Sequence, residues 1–334
     1  MRDVLGASLP ARWSSTQRAK NTAIYWTLRA LVATIRFIPF PIGRTIALAL
    51  GLVAWAVDWP DRRRAAANLA HAMPELSPGA RRALVRRMFL HLAESAIEAI
   101  HVERFVTGPH AIDLGEANRQ VLATARACGK GVVAVGGHIG NWELVGQIIA
   151  RAGFPVTSIA KPLYDPRLTR WVNAQRTAFG ARILWRGDSG LPKEMLRVFK
   201  NNGVLGMLID QDTRVQGAFV PFFGRPAHTP TAAASLTLRT GAALVIGWGY
   251  RRHGTHEIHF EPFPFTPSGD HDADVVRLTT ALNARLEEAI RAEPSQWVWL
   301  HNRWKKQPPG VDNPAKPVNT QSVDGPLNED EPPV

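Results

Sequence analysis

The chain has 334 residues, 45% of them hydrophobic, enough for a substantial core in one α/β domain with a helical extension. Forty Lys and Arg against 28 Asp and Glu give +12, and the charge is uneven: residues 307–334 carry a net −4, leaving +16 on the preceding body. A single cysteine, Cys128, excludes an internal disulfide framework and a four-cysteine zinc site; its setting in ARACGKG reads as a small, partly buried residue.

Residues 21–57, NTAIYWTLRALVATIRFIPFPIGRTIALALGLVAWAV, are strongly apolar but interrupted by Arg29, Arg36 and Arg44 and broken at Pro39 and Pro41. The longest uncharged run, 45–57, falls short of the roughly 18 residues that a spanning helix needs. The segment also begins too deep for a secretory signal and lacks a small-residue cleavage site. Arg29 and Arg36 stand seven apart and share a helix face, a pattern suited to a helix lying in a membrane interface with its cations toward headgroups. The competing reading is a pair of amphipathic helices folded onto the protein's own core. Two more basic helices follow, DRRRAAANLAHAMPEL and SPGARRALVRRMFLHLAESAIEAIHVERF, the second with Ser77 as N-cap and Pro78 at the first helical position. Their arginines form a solvated face by default and would equally serve a headgroup patch.

From Gly131 the pattern changes. GVVAVGG reads as a buried strand and NWELVGQIIARAG as a helix; PVTSIAK, ARILWR and VLGMLIDQD read as strands separated by helices in DPRLTRWVNAQRTAFG and LPKEMLRVFKNNG. TPTAAASLTLRTGAA follows as a helix, LVIGWGYRR and THEIHFEPF as strands, and residues 273–292 as a long helix. Alternation of this kind predicts an α/β fold, a mostly parallel sheet flanked by helices. The chain therefore divides into an N-terminal arm (1–20), a membrane-associating helical segment (21–60), a catalytic domain (61–306) and a Pro-rich acidic tail (307–334) too poor in apolar residues to fold.

The stretch GGHIGNWELVGQ places His138 directly after a strand, where α/β proteins put their ligand crevice. Glu143 stands five positions on. A continuous helix would set the two on different faces; a turn at Gly140, with the helix starting near Asn141, brings Glu143 back toward the imidazole. That is a base–orienter arrangement, in which the carboxylate fixes the tautomer and the other ring nitrogen takes a proton. The glycines permit close approach, and N–H groups near Gly140 and Asn141 offer themselves to an oxyanion. On spacing alone, a histidine capping a helix under a glycine turn fits equally well.

Other chemistries fit less well. H-E-x-x-H and G-x-S-x-G are absent, and CGKG lacks the spacing of a phosphate loop. Asp210 and Asp212, in DQD at a strand end, would suit a divalent metal in a membrane-associated glycosyltransferase, but a structural or substrate-orienting role fits so short a motif better. A non-catalytic binder of nucleic acid or anionic lipid is the third reading, resting on the +16 body.

The ordered blocks NLAHAMPEL, GGHIGNWE, AKPLYDPRL, RTAFGARIL, IDQD, VPFFGRPAHTPTAAASLTLRTGAALV and WVWLHNRWK resemble the bacterial lipid A late acyltransferase family, and H-x4-E resembles the signature of the wider glycerolipid acyltransferases. The resemblance covers roughly residues 20–306. It implies transfer of a fatty acyl group from acyl carrier protein, or from coenzyme A, to a lipid hydroxyl at the cytoplasmic face of the bacterial inner membrane. It implies no cofactor, no metal and no nucleic-acid partner. Similar relatives acylate mannosylated phosphatidylinositol. In this frame His138 is the base and Glu143 its orienter, with Gly140 and Asn141 at the oxyanion and Lys161 and Arg176 on an acceptor phosphate, helped by Arg225, whose Gly-Arg-Pro loop reads equally as a tight turn. His228 and His301 are expected to be structural, and the Trp pair of QWVWLHNRW to pack in the core or an interface rather than stack on a ligand. Two departures stand out: arginines interrupt the N-terminal anchor, and Lys161 replaces the usual Arg, keeping a cation but losing the bidentate fork.

Overall fold

A computed structural model of the chain describes residues 5–6, 13–108 and 110–308, so the expected tail from 309 on lies outside the described residues. The chain opens with α1 (Ser15–Phe37), α2 (Phe40–Val57), α3 (Trp59–Ala72), α4 (Pro78–Ile100) and the short α5 (Val102–Val106). Capping defines their starts: Ser14 and Gln17 form a reciprocal capping box on α1, and the Ser77 hydroxyl accepts from the Ala80 N–H ahead of Pro78 on α4. Then follow α6 (Glu116–Ala127), β1 (Val132–Gly136), α7 (Trp142–Arg151), β2 (Val156–Ala160), α8 (Pro166–Arg176), β3 (Arg182–Trp185), α9 (Leu191–Lys200) and β4 (Val204–Leu208). The hairpin β5 (Gly217–Phe222) and β6 (Arg225–Pro230), then α10 (Ala232–Thr240), β7 (Ala243–Arg252), β8 (Thr255–Pro262) and α11 (His271–Ala292) complete the order.

Six strands make one sheet in the order β3-β2-β4-β1-β7-β8, parallel except for β8, which runs back along β7. The predicted α/β class and mostly parallel sheet are thus present. Its centre, β1, is buried along its whole length, as a strand covered on both faces must be. One core layer packs α3, α4 and α11 on the sheet through Leu69, Met88 and Leu282; the other packs α6 and α7 through Leu122 and Ile148. Cys128 is exposed, not partly buried, because it caps the solvent end of α6.

The β5–β6 hairpin was not among the expected strands. Its register sets Phe222 opposite Arg225 across Phe223 and Gly224, both at positive φ (50° and 74°), the geometry of a type I′ turn.

The arginines of the N-terminal helices are exposed yet also contact protein groups: Arg29 lies over the rings of Tyr25 and Trp171, Arg36 bonds Glu103, Gln175 and the Ile100 carbonyl, and Arg44 pairs with Glu94 on α4. Apolar side chains also face outward, including Trp26, Leu31, Phe37, Leu50 and Val57. Counted from Phe40, with Arg44 as its one charge, α2 reaches 18 residues with mean hydropathy 1.7, long and apolar enough to cross a membrane.

Candidate active site

His138 follows β1 by two residues, and Asp210 follows the neighbouring β4 by two. The parallel register pairs Gly136 with Leu208, so the two side chains arrive at the same strand ends. His138 Nδ1 lies 2.7 Å from Asp210 Oδ1, and the His138 backbone N–H donates to Oδ2 at 2.6 Å. A third donor, Trp297 Nε1, reaches the same Oδ2 at 2.7 Å. Gly137 permits this approach: a Cβ there would sit 3.1 Å from Asp210 Oδ2.

Asp210 is fully buried. Burial pushes its carboxyl up, but the charge and hydrogen bonds of His138 and the Trp297 bond outweigh this and hold it at about 2. An ionised carboxylate only accepts, so Nδ1 carries the proton and Nε2 holds the free lone pair. The imidazole edge also rests on the Trp142 ring, with centroids 4.9 Å apart.

This corrects the expected His138–Glu143 pair. The acid on the imidazole is Asp210; Glu143 binds Arg176 in a two-pronged ion pair of 2.8 and 2.5 Å. The N-cap geometry explains the difference: α7 begins at Trp142, which points Glu143 across the crevice toward α8 rather than back to the ring.

Gly140 and Asn141 shape the loop between β1 and α7. Gly140 adopts φ +61°, and a Cβ there would lie 2.0 Å from the Gly249 carbonyl, so only glycine fits the turn. Its N–H is consumed by the Gln296 carbonyl at 2.8 Å. Asn141 is buried and turned inward, donating to the Ser95 carbonyl and to Glu98 Oε2. Both hold the loop and neither lines the crevice.

Behind that loop sits a buried ionic cluster that the sequence reading missed. Arg251, at the end of β7, contacts Glu98 Oε2 at 2.5 Å, Ser95 Oγ at 3.1 Å and His91 Nδ1 at 2.6 Å. His91 Nε2 lies 3.2 Å from the Gly140 carbonyl, so a neutral imidazole that accepts from Arg251 and donates to Gly140 satisfies both contacts. Burial, then the Arg251 charge, lower the His91 pKa from 6.5 to about 4. A folded-state pKa below the unfolded value means that the unfolded chain binds the proton first as pH falls. The stability from neutral His91 is therefore complete above pH 6.5 and lost between 6.5 and 4, on the order of 3 kcal/mol. His91→Gln keeps both hydrogen bonds without titrating. Its unfolding free energy should fall less between those pH values than the parent's, and parallel pH slopes would remove His91 as the source.

Beside His138 opens a cavity of about 440 Å³. Its walls include Ala134, Val145, Gly146, Ile149, Ile183 and Phe260, and its rim carries Lys161, Arg176 and Arg186. Of the three expected phosphate ligands, Lys161 and Arg176 border this cavity. Arg225 does not; it lies exposed at the hairpin turn, near enough to His71 that, after burial, its charge helps lower that histidine's pKa. His228 and His301 hold Asp212, the first through Oδ1 at 3.1 Å and the second by accepting its N–H at 2.9 Å. Lys306 lies 3.1 Å from the same Oδ1. With Asp210 on His138 and Asp212 so occupied, neither is free for a metal, and among the described residues no group of three His, Cys, Asp or Glu side chains could hold one. Trp297 and Trp299 are core residues as expected, and Trp297 also serves Asp210.

Comparison with known proteins adds to this geometry. Residues 12–306 match the family described as bacterial lipid A biosynthesis acyltransferase. The chain is 30% identical over 193 residues to the phosphatidylinositol mannoside acyltransferase of Mycobacterium tuberculosis, a match covering 55% of this chain and 57% of that one. It thus spans just over half the length of that relative. It is 25% identical to the lipid A biosynthesis myristoyltransferase of Escherichia coli over 87% of this chain and 90% of that one, and 26% identical to the lauroyltransferase of the same organism over 82% and 89%.

Proposed function

The chain belongs to the bacterial lipid A biosynthesis acyltransferase family and is an acyltransferase, and from that premise we propose that it moves a fatty acyl group from a carrier thioester to a hydroxyl of a lipid A precursor. The similarity over nearly the whole length to the lipid A enzymes favours that acceptor. A mannosylated phosphatidylinositol is the second reading, favoured by the higher identity over the shorter match.

The observation that carries the mechanism is the buried Asp210 on His138 Nδ1, which leaves Nε2 as the base beside an apolar cavity. His138 Nε2 takes the proton of the acceptor hydroxyl as its oxygen bonds to the thioester carbon. The tetrahedral intermediate then collapses with cleavage of the C–S bond, and the imidazolium returns the proton to the departing thiolate. Asp210 stabilises the imidazolium between these steps. With the Gly140 N–H occupied, the oxyanion falls to the leading N–H groups of α7, at Trp142 and Glu143, which have no intrahelical acceptor. Lys161 and Arg176 belong to the lipid-facing rim, Arg176 held in place by Glu143. Attachment to the cytoplasmic face of the inner membrane rests on the outward apolar side of α1 and α2, and the +16 body suits an acidic carrier protein as donor.

Mass spectrometry of lipids from a strain expressing the protein, against one expressing His138→Ala, tests this reading. A lipid A species heavier by one acyl chain should appear only with the parent. Identical lipid profiles would overturn the function, and the added chain on a mannosylated lipid would select the second acceptor.

A further inference from the structure

Three cations and a single carboxylate border the cavity beside His138: Lys161, Arg176, Arg186 and Glu143. One cation is neutralised, Arg176 by Glu143. The other two are not. Among the described residues neither Lys161 nor Arg186 makes an ion pair or a side-chain hydrogen bond, although nearby arginines do, Arg167 with Asp165 and Arg182 with Glu194.

Backbone pairing sets these two residues side by side at the edge of the cavity. Ala160 on β2 stands opposite Trp185 on β3, and the Arg186 N–H continues the ladder by donating to the Ala160 carbonyl at 2.9 Å. Lys161 and Arg186 are thus the residues that directly follow the ends of neighbouring strands β2 and β3, whose backbones lie about 4.8 Å apart. Arg186 is also partly buried, and that burial lowers its pKa, yet a guanidinium stays protonated under any physiological condition. A desolvated, unpaired guanidinium is unfavourable in the empty protein, and a dianion seated against it would reverse that sign. The guanidinium fork takes two oxygens of such a group and the ammonium a third, an arrangement that fits a phosphate better than a carboxylate.

We propose that Lys161 and Arg186 form a phosphate-binding site at the rim of the cavity, where they take a phosphate ester carried by one of the two reactants. The inference rests on the cavity being the acyl-transfer site. Arg176 stands outside it, committed to Glu143. The phosphate belongs either to the pantetheine arm of the donor or to the acceptor lipid, and the two sources separate in kinetics.

The test uses the full-length protein in detergent, with Arg186→Ala, Arg186→Lys and Lys161→Ala. Donors are acyl-phosphopantetheine and acyl-pantetheine, which differ by one phosphate; the acceptor is used with its phosphate intact or removed. In the parent, removing the phosphate from the correct reactant should raise its KM by about ten- to a hundredfold, the usual scale of charge-assisted hydrogen bonds. In Arg186→Ala the phosphorylated and dephosphorylated forms should converge, and Arg186→Lys, which keeps the charge without the fork, should restore part of the difference. Convergence for the donor pair alone assigns the donor phosphate; convergence for the acceptor pair alone assigns the lipid. Phosphate discrimination that survives in all three variants would overturn the site, as would its absence in the parent. Titration with inorganic phosphate followed by ³¹P line broadening reads binding without turnover. A parent that transfers no acyl chain but loses phosphate binding on Arg186→Ala overturns the function and keeps the site. A parent that transfers acyl chains but binds phosphate no better than Arg186→Ala does the reverse.

Discussion

Asp210→Asn should lower acyl transfer by about 10²–10⁴-fold, as should His138→Ala, the scale on which a positioned general base acts. The reason lies in the three N–H groups that converge on Asp210, from the His138 ring, the His138 backbone and Trp297. An amide in place of the carboxylate must turn its own N–H₂ toward one of them. Turned toward Oδ2's two donors it clashes with both; turned toward the ring it makes Nδ1 the acceptor and puts the proton on Nε2, where the base is required. Glu143→Gln should cost less, because Glu143 holds Arg176 and not the imidazole. Rates would be measured on proteins whose thermal midpoints establish that each is folded at the assay temperature. Asp210→Asn within tenfold of the parent, or a folded Glu143→Gln more damaged than Asp210→Asn, would sink the assignment of Asp210 as the orienting acid.

The same pair illustrates how far the sequence can be read. The parallel strands were legible because most are short apolar runs near glycine-containing breaks, GVVAVGG above all, which is buried along its whole length as a central parallel strand must be. His138 was legible from its place just after one of them. Its acid was not, because the partner comes 72 residues later from a different strand, while Glu143 offered a local alternative. The missing fact was the β1–β4 register; given Gly136 opposite Leu208, equal two-residue overhangs bring His138 and Asp210 together. The β5–β6 hairpin escaped for another reason. Pro221, Pro226 and Pro230 argue against a strand, and they are tolerated here because a two-stranded ribbon leaves the outward edge of each strand unpaired. Arg29 and Arg36 lie on the one helix α1, but a one-dimensional pattern does not show their protein contacts; the partners of Arg36, Glu103 and Gln175, are distant in sequence.

Filling the cavity from α7 should shorten the acyl chain that the protein prefers. A long hydrocarbon must leave water during transfer, and each buried methylene contributes roughly 0.8 kcal/mol, so two carbons change binding by about tenfold. A walled cavity also penalises a chain that is too long, since extra methylenes meet packed side chains. The parent should therefore show a peak over one or two even chain lengths. Among the glycines of the wall, Gly247 cannot accept a side chain, because a Cβ would lie 2.4 Å from the Phe260 ring and 2.7 Å from the His259 carbonyl. Gly146 can: a Cβ there meets only the Ser158 hydroxyl, at 3.9 Å. It also lies inside α7, where leucine favours the helix by up to about 1 kcal/mol over glycine. Gly146→Leu should consequently stay folded, place its side chain in the cavity and move the optimum down by two or more carbons, with roughly tenfold weaker use of the parent's best donor. Competition among carrier-bound chains of several lengths, read by mass spectrometry of the product, measures this directly. An unshifted optimum in the folded variant would mean that the acyl chain lies elsewhere, and a flat profile in the parent would mean that no closed wall measures it.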